Sequence, residues 1–154
     1  MRKAVWLMVP VLLLLAACDS NRFYEQYNPI ADESWTTSNK QVFEVPVTDT
    51  TGLYSMFFNI RHSGSYRYRN LFVFLETTEP NGSRYRDTLE CVLARPDGKW
   101  YGSGVGDLKD HRFLFKRHKA LDQAGTYRFS FEQAMRVDPL EHVKDIGLRI
   151  EKEG

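Results

Sequence analysis

The chain has 154 residues, 42% hydrophobic and 27% charged, with ten glycines and six prolines. That composition excludes disorder, collagen-like repeats and a polytopic membrane protein. Its formal charge is +1, and the 137 residues after Ala17 carry 19 basic against 20 acidic side chains, a balance that excludes bulk nucleic-acid binding.

The first 17 residues read as a secretory leader. Arg2 and Lys3 precede an uncharged apolar run from Ala4 to Ala17. As a helix that run would extend about 21 Å, short of the roughly 30 Å of a hydrocarbon core, and it ends in small residues as a cleavable leader does. Leu15-Ala16-Ala17-Cys18 has the form of a lipobox. The thiol of Cys18 is the nucleophile that would receive diacylglycerol, and the small Ala16 and Ala17 let a peptidase reach the bond before it. One acyl chain holds a protein at a bilayer only marginally, whereas two hold it stably. The membrane is therefore the first expected partner, through acylated Cys18. Cys91 is then the remaining cysteine, which precludes an intramolecular disulfide. It alternates with Leu89 and Leu93 on an apolar face, so a buried, inert thiol is expected.

Residues 18–34 read as the lipidated cysteine and an N-terminal segment. Phe23, Tyr24, Tyr27 and Ile30 make it more apolar than a solvated linker, so only the first few residues after Cys18 are expected to be flexible. From residue 35 to 154 period-two patterns dominate. Phe43, Val45 and Val47 form one face of a strand whose Pro46 marks an edge. Tyr54, Met56, Phe58 and Ile60 form the next face, and Leu71 to Leu75 is apolar on both faces, as in a central strand. Asn81-Gly82 supplies a hairpin turn into 84–93, and Pro96-Asp97-Gly98 a turn into a strand at Lys99-Trp100-Tyr101. Phe113 and Phe115, then Tyr127, Phe129 and Phe131, alternate with polar neighbours. Asp138-Pro139 reads as the N-cap and first position of a short helical turn. Ile146, Leu148 and Ile150 close the chain. About eight short strands joined by turn chemistry predict an all-β fold, an antiparallel β-sandwich of jelly-roll type.

Motifs for catalysis are scarce. His62, His111, His118 and His142 fit no metal-ligand spacing, and no GxSxG elbow is present. Carboxylates such as Glu90, Asp107, Asp110 and Glu132 lie in polar contexts that suit solvated surface. No enzyme activity, metal, cofactor or small-molecule substrate is expected. Gly102-Ser103-Gly104-Val105-Gly106 lacks the strand and helix that aim amides at a phosphate and reads as a crossover or bulged connection.

Two stretches suit a binding surface. In His111–Lys119, simple alternation puts Arg112, Lys116 and His118 on one strand face. That face is either a contact for anionic headgroups or an edge strand guarded by charge, and the edge reading is favoured. In Tyr66-Arg67-Tyr68-Arg69 the two tyrosines share one face of a strand and the arginines the other. Such rings suit a glycan or a protein partner, and equally a tyrosine ladder closing the core. The candidate partner or glycan surface is therefore Arg61, Tyr66, Tyr68, Trp100, Arg112 and Lys116.

The order of these pieces resembles the gliding-motility-associated lipoprotein family GldH of Bacteroidota. The matching elements are Leu15–Cys18, Tyr24-Glu25-Gln26-Tyr27, Trp35 ahead of Val42-Phe43-Glu44-Val45, Ile60-Arg61-His62, Tyr66 to Leu71, Asp97 to Gly104, Gly125 to Phe129, Gln133 to Arg136 and Asp145 to Leu148. The resemblance implies a non-enzymatic lipoprotein of the cell envelope, expected at the outer membrane. In gliding species it implies a part in moving surface adhesins and an association with the type IX secretion apparatus, as an accessory or scaffold component in contact with other envelope proteins. The family extends to members that do not glide, which implies an envelope role broader than motility. Of defined site residues it carries over Cys18 alone. A glycan-binding lipoprotein with an aromatic-lined sheet face is the alternative.

Overall fold

A computed structural model describes residues 19–154; the leader and Cys18 lie outside the described residues. Ten strands follow in order: β1 (Arg22–Pro29), β2 (Ser34–Trp35), β3 (Gln41–Val47), β4 (Leu53–Ser63), β5 (Asn70–Thr78), β6 (Arg84–Val92), β7 (Leu108–Ala120), β8 (Gly125–Gln133), β9 (Leu140–Glu141) and β10 (Val143–Lys152). Eight of them build two antiparallel four-stranded sheets, ordered β1-β10-β4-β7 and β3-β8-β5-β6, while the short β2 and β9 pair with each other. This is the expected antiparallel sandwich.

The alternation in the sequence becomes the core because each long strand has one face turned to the opposite sheet. Phe43, Val45 and Val47 of β3, Tyr54, Met56, Phe58 and Ile60 of β4, Leu71, Val73 and Leu75 of β5, Tyr127, Phe129 and Phe131 of β8, and Ile146, Leu148 and Ile150 of β10 are all buried. Phe58 of one sheet meets Phe131 of the other at 5.0 Å between ring centroids. Burying such a side chain contributes about 2 kcal/mol. Pro46 sits in β3, an edge strand as expected. The β5–β6 hairpin turns at Gly82, whose amide bonds the Glu79 carbonyl at 2.9 Å, and whose φ of 88° needs a residue without a side chain. Cys91 is 1% exposed.

Three local expectations are corrected. Residues 22–29, assigned by sequence to a segment ahead of the sandwich, form β1, which pairs along its length with β10. The Lys99–Tyr101 strand is reduced to one bridge between Ala94 and Trp100, because the tight turn at Arg95–Lys99 leaves no partner strand to extend it. The helical turn at Asp138-Pro139 is absent: residues 135–139 form a bend. The Asp138 carboxylate accepts hydrogen bonds from the Thr37 amide at 3.2 Å and hydroxyl at 2.7 Å, capping a distant loop instead of a helix of its own.

Candidate functional site

The six surface candidates divide among three places. Arg61 and Arg112 stand on the outer face of the β1-β10-β4-β7 sheet. Arg61 Nε donates to Asp145 at 2.7 Å, with its guanidinium 4.5 Å from the Tyr27 ring centroid. Arg112 donates to Asn59 Oδ1 at 3.2 Å and to Glu25 at 3.4 Å. Further along the same face, on β10, lies Arg149, a residue the sequence reading did not single out, with its side chain only 7% exposed. Its three nitrogens donate to Glu151 at 2.6 Å, Glu25 at 2.7 Å and Asp19 at 2.5 Å. This face is a self-neutralised network, and its cations already hold carboxylates. Tyr27 can lie across β10 only because Gly147 is there, since a Cβ at that position would come within 2.7 Å of the ring.

The network has a positional consequence. Asp19, the residue after Cys18, is bonded to β10 through Arg149, and the Lys152 amide donates to the Asn21 carbonyl at 2.8 Å. The chain therefore joins the sandwich at its first described residue, at the end of the sheet where β1 and β4 begin and β10 and β7 finish.

Tyr66, Tyr68 and Trp100 lie at the opposite end. Tyr66 belongs to the β4–β5 connection and is 4% exposed. Its hydroxyl donates to the Asn70 carbonyl at 2.9 Å, and burial pushes its pKa up. Tyr68 meets it edge-on at 5.7 Å. The Tyr66 ring thus offers no stacking platform, while Tyr68 and Trp100 stay half-buried. Tyr66 and Trp100 pack on His62, at 5.2 and 4.6 Å between ring centroids, and His62 bonds His111. Among the described residues no group of three or more His, Cys, Asp or Glu comes together as metal ligands would. Gly102 covers this pair: a Cβ there would lie 2.5 Å from His111 Nε2 and 2.6 Å from the Asp110 carbonyl. The glycine-rich run is thus a connection folded closely onto β7, in agreement with the sequence reading.

Lys116 falls in the third place. The register of β7 on β4 shifts on both sides of Met56, so that Lys116 stands opposite inward-facing Met56 and Lys119 opposite buried Tyr54. β-bulges re-aim side chains in this way. The expectation that Lys116 shares a face with Arg112 is therefore corrected. Lys116 and Lys119 instead line a cleft of about 540 Å³ between β6 and β7, the free edges of the two sheets, with Met56, Leu75, Phe115, Leu121, Tyr127 and Phe129 on its walls. Opposite them on β6, residues 84–88 are exposed on both faces, so this end of the hairpin stands away from β7. No motif marks the cleft in the sequence.

Comparison with known proteins now bears on these observations. A family model described as GldH lipoprotein matches residues 22–150, from the first residue of β1 to within two residues of the end of β10. The chain belongs to the GldH lipoprotein family. It is 37% identical over 156 aligned positions to the gliding motility lipoprotein GldH homolog of Christiangramia forsetii, covering 97% of this chain and 95% of the relative. It is 33% identical to the gliding motility lipoprotein GldH of Flavobacterium johnsoniae, covering 91% of each. Among solved structures, a chain of the infectious bursal disease virus Gx strain aligns at a TM-score of 0.33 and 8% identity, over 86% of this chain and 33% of that one, a likeness too slight to carry an argument. Membership of the GldH family makes this an envelope lipoprotein held at a membrane by lipid, and the match covers β1, consistent with its place in the sheet.

Proposed function

We propose that this protein is a non-enzymatic component of the gliding and type IX secretion machinery. It is anchored through acylated Cys18 at the outer membrane and acts as an accessory or scaffold subunit by contact with other envelope proteins. One observation carries the reading: the residue after Cys18 is fixed to the sheet by Arg149. With the family's lipid at Cys18, a rigid sandwich sits directly on the bilayer with almost no tether. Such a geometry suits a subunit that holds a set position beside neighbours, whereas a long solvated linker would suit a free-ranging binder. Crosslinking the tagged protein in its native membrane, followed by mass spectrometry of what it holds, tests the reading. Recovery of motility or secretion components is expected, and recovery only as an uncrosslinked monomer overturns it. Mass analysis of the mature N-terminus tests the anchor separately, with a diacylglyceryl cysteine expected at position 18.

A further inference from the structure

The cleft between β6 and β7 has the chemistry of a binding site that the family match does not assign. Protein interiors are packed to crystal-like density, yet here the two sheets part over about 540 Å³, within the range of ligand cavities, roughly 300–1,000 Å³. Its walls are apolar and come from both sheets: Met56 and Phe115 from one, Leu75 and Phe129 from the other. Its mouth is polar. Lys116 and Lys119 line it from β7, and Arg84 and Asp87 from β6. Glu79, the other acid at the mouth, is held by Lys119 at 3.5 Å and by the Gln123 amide at 2.9 Å. Among the described residues Lys116 and Arg84 enter no ion pair. With Asp87 facing them, the free charge at the mouth is net positive.

The position of the mouth narrows the ligand further. Lys116 and Lys119 stand opposite Met56 and Tyr54, near the start of β4, and Tyr54 in turn pairs with Lys152 at the end of β10. The cleft is thus at the end of the sandwich where Asp19 joins the sheet. An apolar interior, a cationic lip and a location at the anchor end of the sandwich point to one chemistry. We infer that the cleft binds a long acyl chain whose anionic headgroup is held by Lys116 and Arg84, drawn either from a free fatty acid or from an anionic phospholipid. The membrane-facing position of the cleft rests on the anchor reading above; its affinity for the acyl chain does not.

The test uses the mature lipoprotein purified from its own membrane and reconstituted in phosphatidylcholine nanodiscs. Three diazirine probes are compared: palmitic acid, phosphatidylglycerol and phosphatidylcholine, each labelled in the acyl chain. Labelling of peptides containing Met56, Phe115 or Leu121 by either anionic probe, several-fold above the choline probe, is the expected result, and the arm that labels identifies the source. Lys116→Glu, at an exposed position, should lower that labelling about tenfold, as loss of a charge-assisted contact does. Thr77→Trp, which fills the cleft without changing charge, should abolish it. Equal labelling by the choline probe, label confined to other peptides, or no change in either variant overturns the inference. Because palmitic acid reaches the cleft from solution, a negative result there stands apart from any result on the N-terminal lipid.

Discussion

His62 and His111, 49 residues apart in sequence, share one buried hydrogen bond, Nε2 to Nε2 at 2.9 Å. The second nitrogen of His62 fixes its direction. Nδ1 of His62 lies 2.7 Å from the Ser63 carbonyl, which only accepts, so Nδ1 carries the proton and Nε2 is the acceptor. His111 therefore donates from its Nε2, and both rings are neutral. Protonating His62 would place a cation against the rings of Tyr66 and Trp100, and protonating either ring would place one beside the partner imidazole. Burial accordingly lowers the pKa of His62, and burial followed by the nearby His62 lowers that of His111 to about 4. Of the charges near His62, Lys109 lowers its pKa further and Asp107 raises it.

This pair makes stability fall as the solution is acidified. The unfolded chain takes up protons near the ordinary histidine value of about 6.5, whereas the native chain refuses the His111 proton until about pH 4. Stability present at pH 7 is therefore lost progressively between about 6.5 and 4. For His111 alone the loss is about 2 kcal/mol by pH 5, at roughly 1.4 kcal/mol per proton per pH unit. Urea unfolding at pH 7 and pH 5 measures it. His111→Gln keeps a donor for His62 and removes one titration, so its slope over this window should be visibly shallower. An unchanged slope would rule the pair out as its source.

Gly102 is the second place where the fold leaves no latitude. A methyl group there would meet the Asp110 carbonyl and the His111 ring at 2.6 and 2.5 Å, and the carbonyl belongs to β7 and cannot swing aside. Gly102→Ala should destabilise the protein by about 1–3 kcal/mol and disturb the histidine pair beneath it. A thermal midpoint within a degree of the parent would show that the loop relaxes freely.

The strands that were legible in the sequence are those with one fully buried face. In β3, β8 and β10 the buried positions include Phe43, Val45 and Val47, Tyr127, Phe129 and Phe131, and Ile146, Leu148 and Ile150, and strict alternation announces them. β1 was not legible because it is an edge strand with no fully buried residue on either face, so Tyr24 and Tyr27 give no clean period. The bulges in β7 defeat alternation directly: Arg112 and Lys116 are four apart, yet an inserted residue turns them to opposite faces. Arg149 and the histidine pair depend on contacts between distant strands, which no local pattern encodes.

The Cys91 thiol should be silent in the native protein. It is 1% exposed, and burial, with Glu90 adding to it, pushes its pKa to about 12. Reactivity follows the thiolate and its access, so a thiol reagent such as DTNB at pH 8 should leave Cys91 unmodified for as long as the sandwich stays folded. In 6 M guanidinium (roughly twice as strong a denaturant as urea) the Cys91 thiol should react within the mixing time. Fast native reaction would mean that the strand bearing Cys91 opens locally.

Arg149 ties the anchor end of the chain to the sheet, so its loss should be felt both as stability and as local order. Its side chain is nearly enclosed, and Asp19, Glu25 and Glu151 all converge on it. Replacing it leaves three crowded carboxylates with only the longer contacts of Arg22 and Arg112 to Glu25 and Glu151, and breaking a pair on one side only is the costly case. Because the acids are themselves partly open to water, the effect of Arg149→Met is put at about 2 kcal/mol, below the value for a fully buried pair. Asp19→Asn removes only the outermost contact and should cost under about 1 kcal/mol. The two variants separate stability from tethering. Both should speed amide hydrogen exchange at Arg22, whose N–H bonds the Asp19 carbonyl at 3.2 Å, but only Arg149→Met should shift the global unfolding midpoint. If exchange near residue 22 were unaffected in both, Arg149 would not be what holds the start of the domain in place.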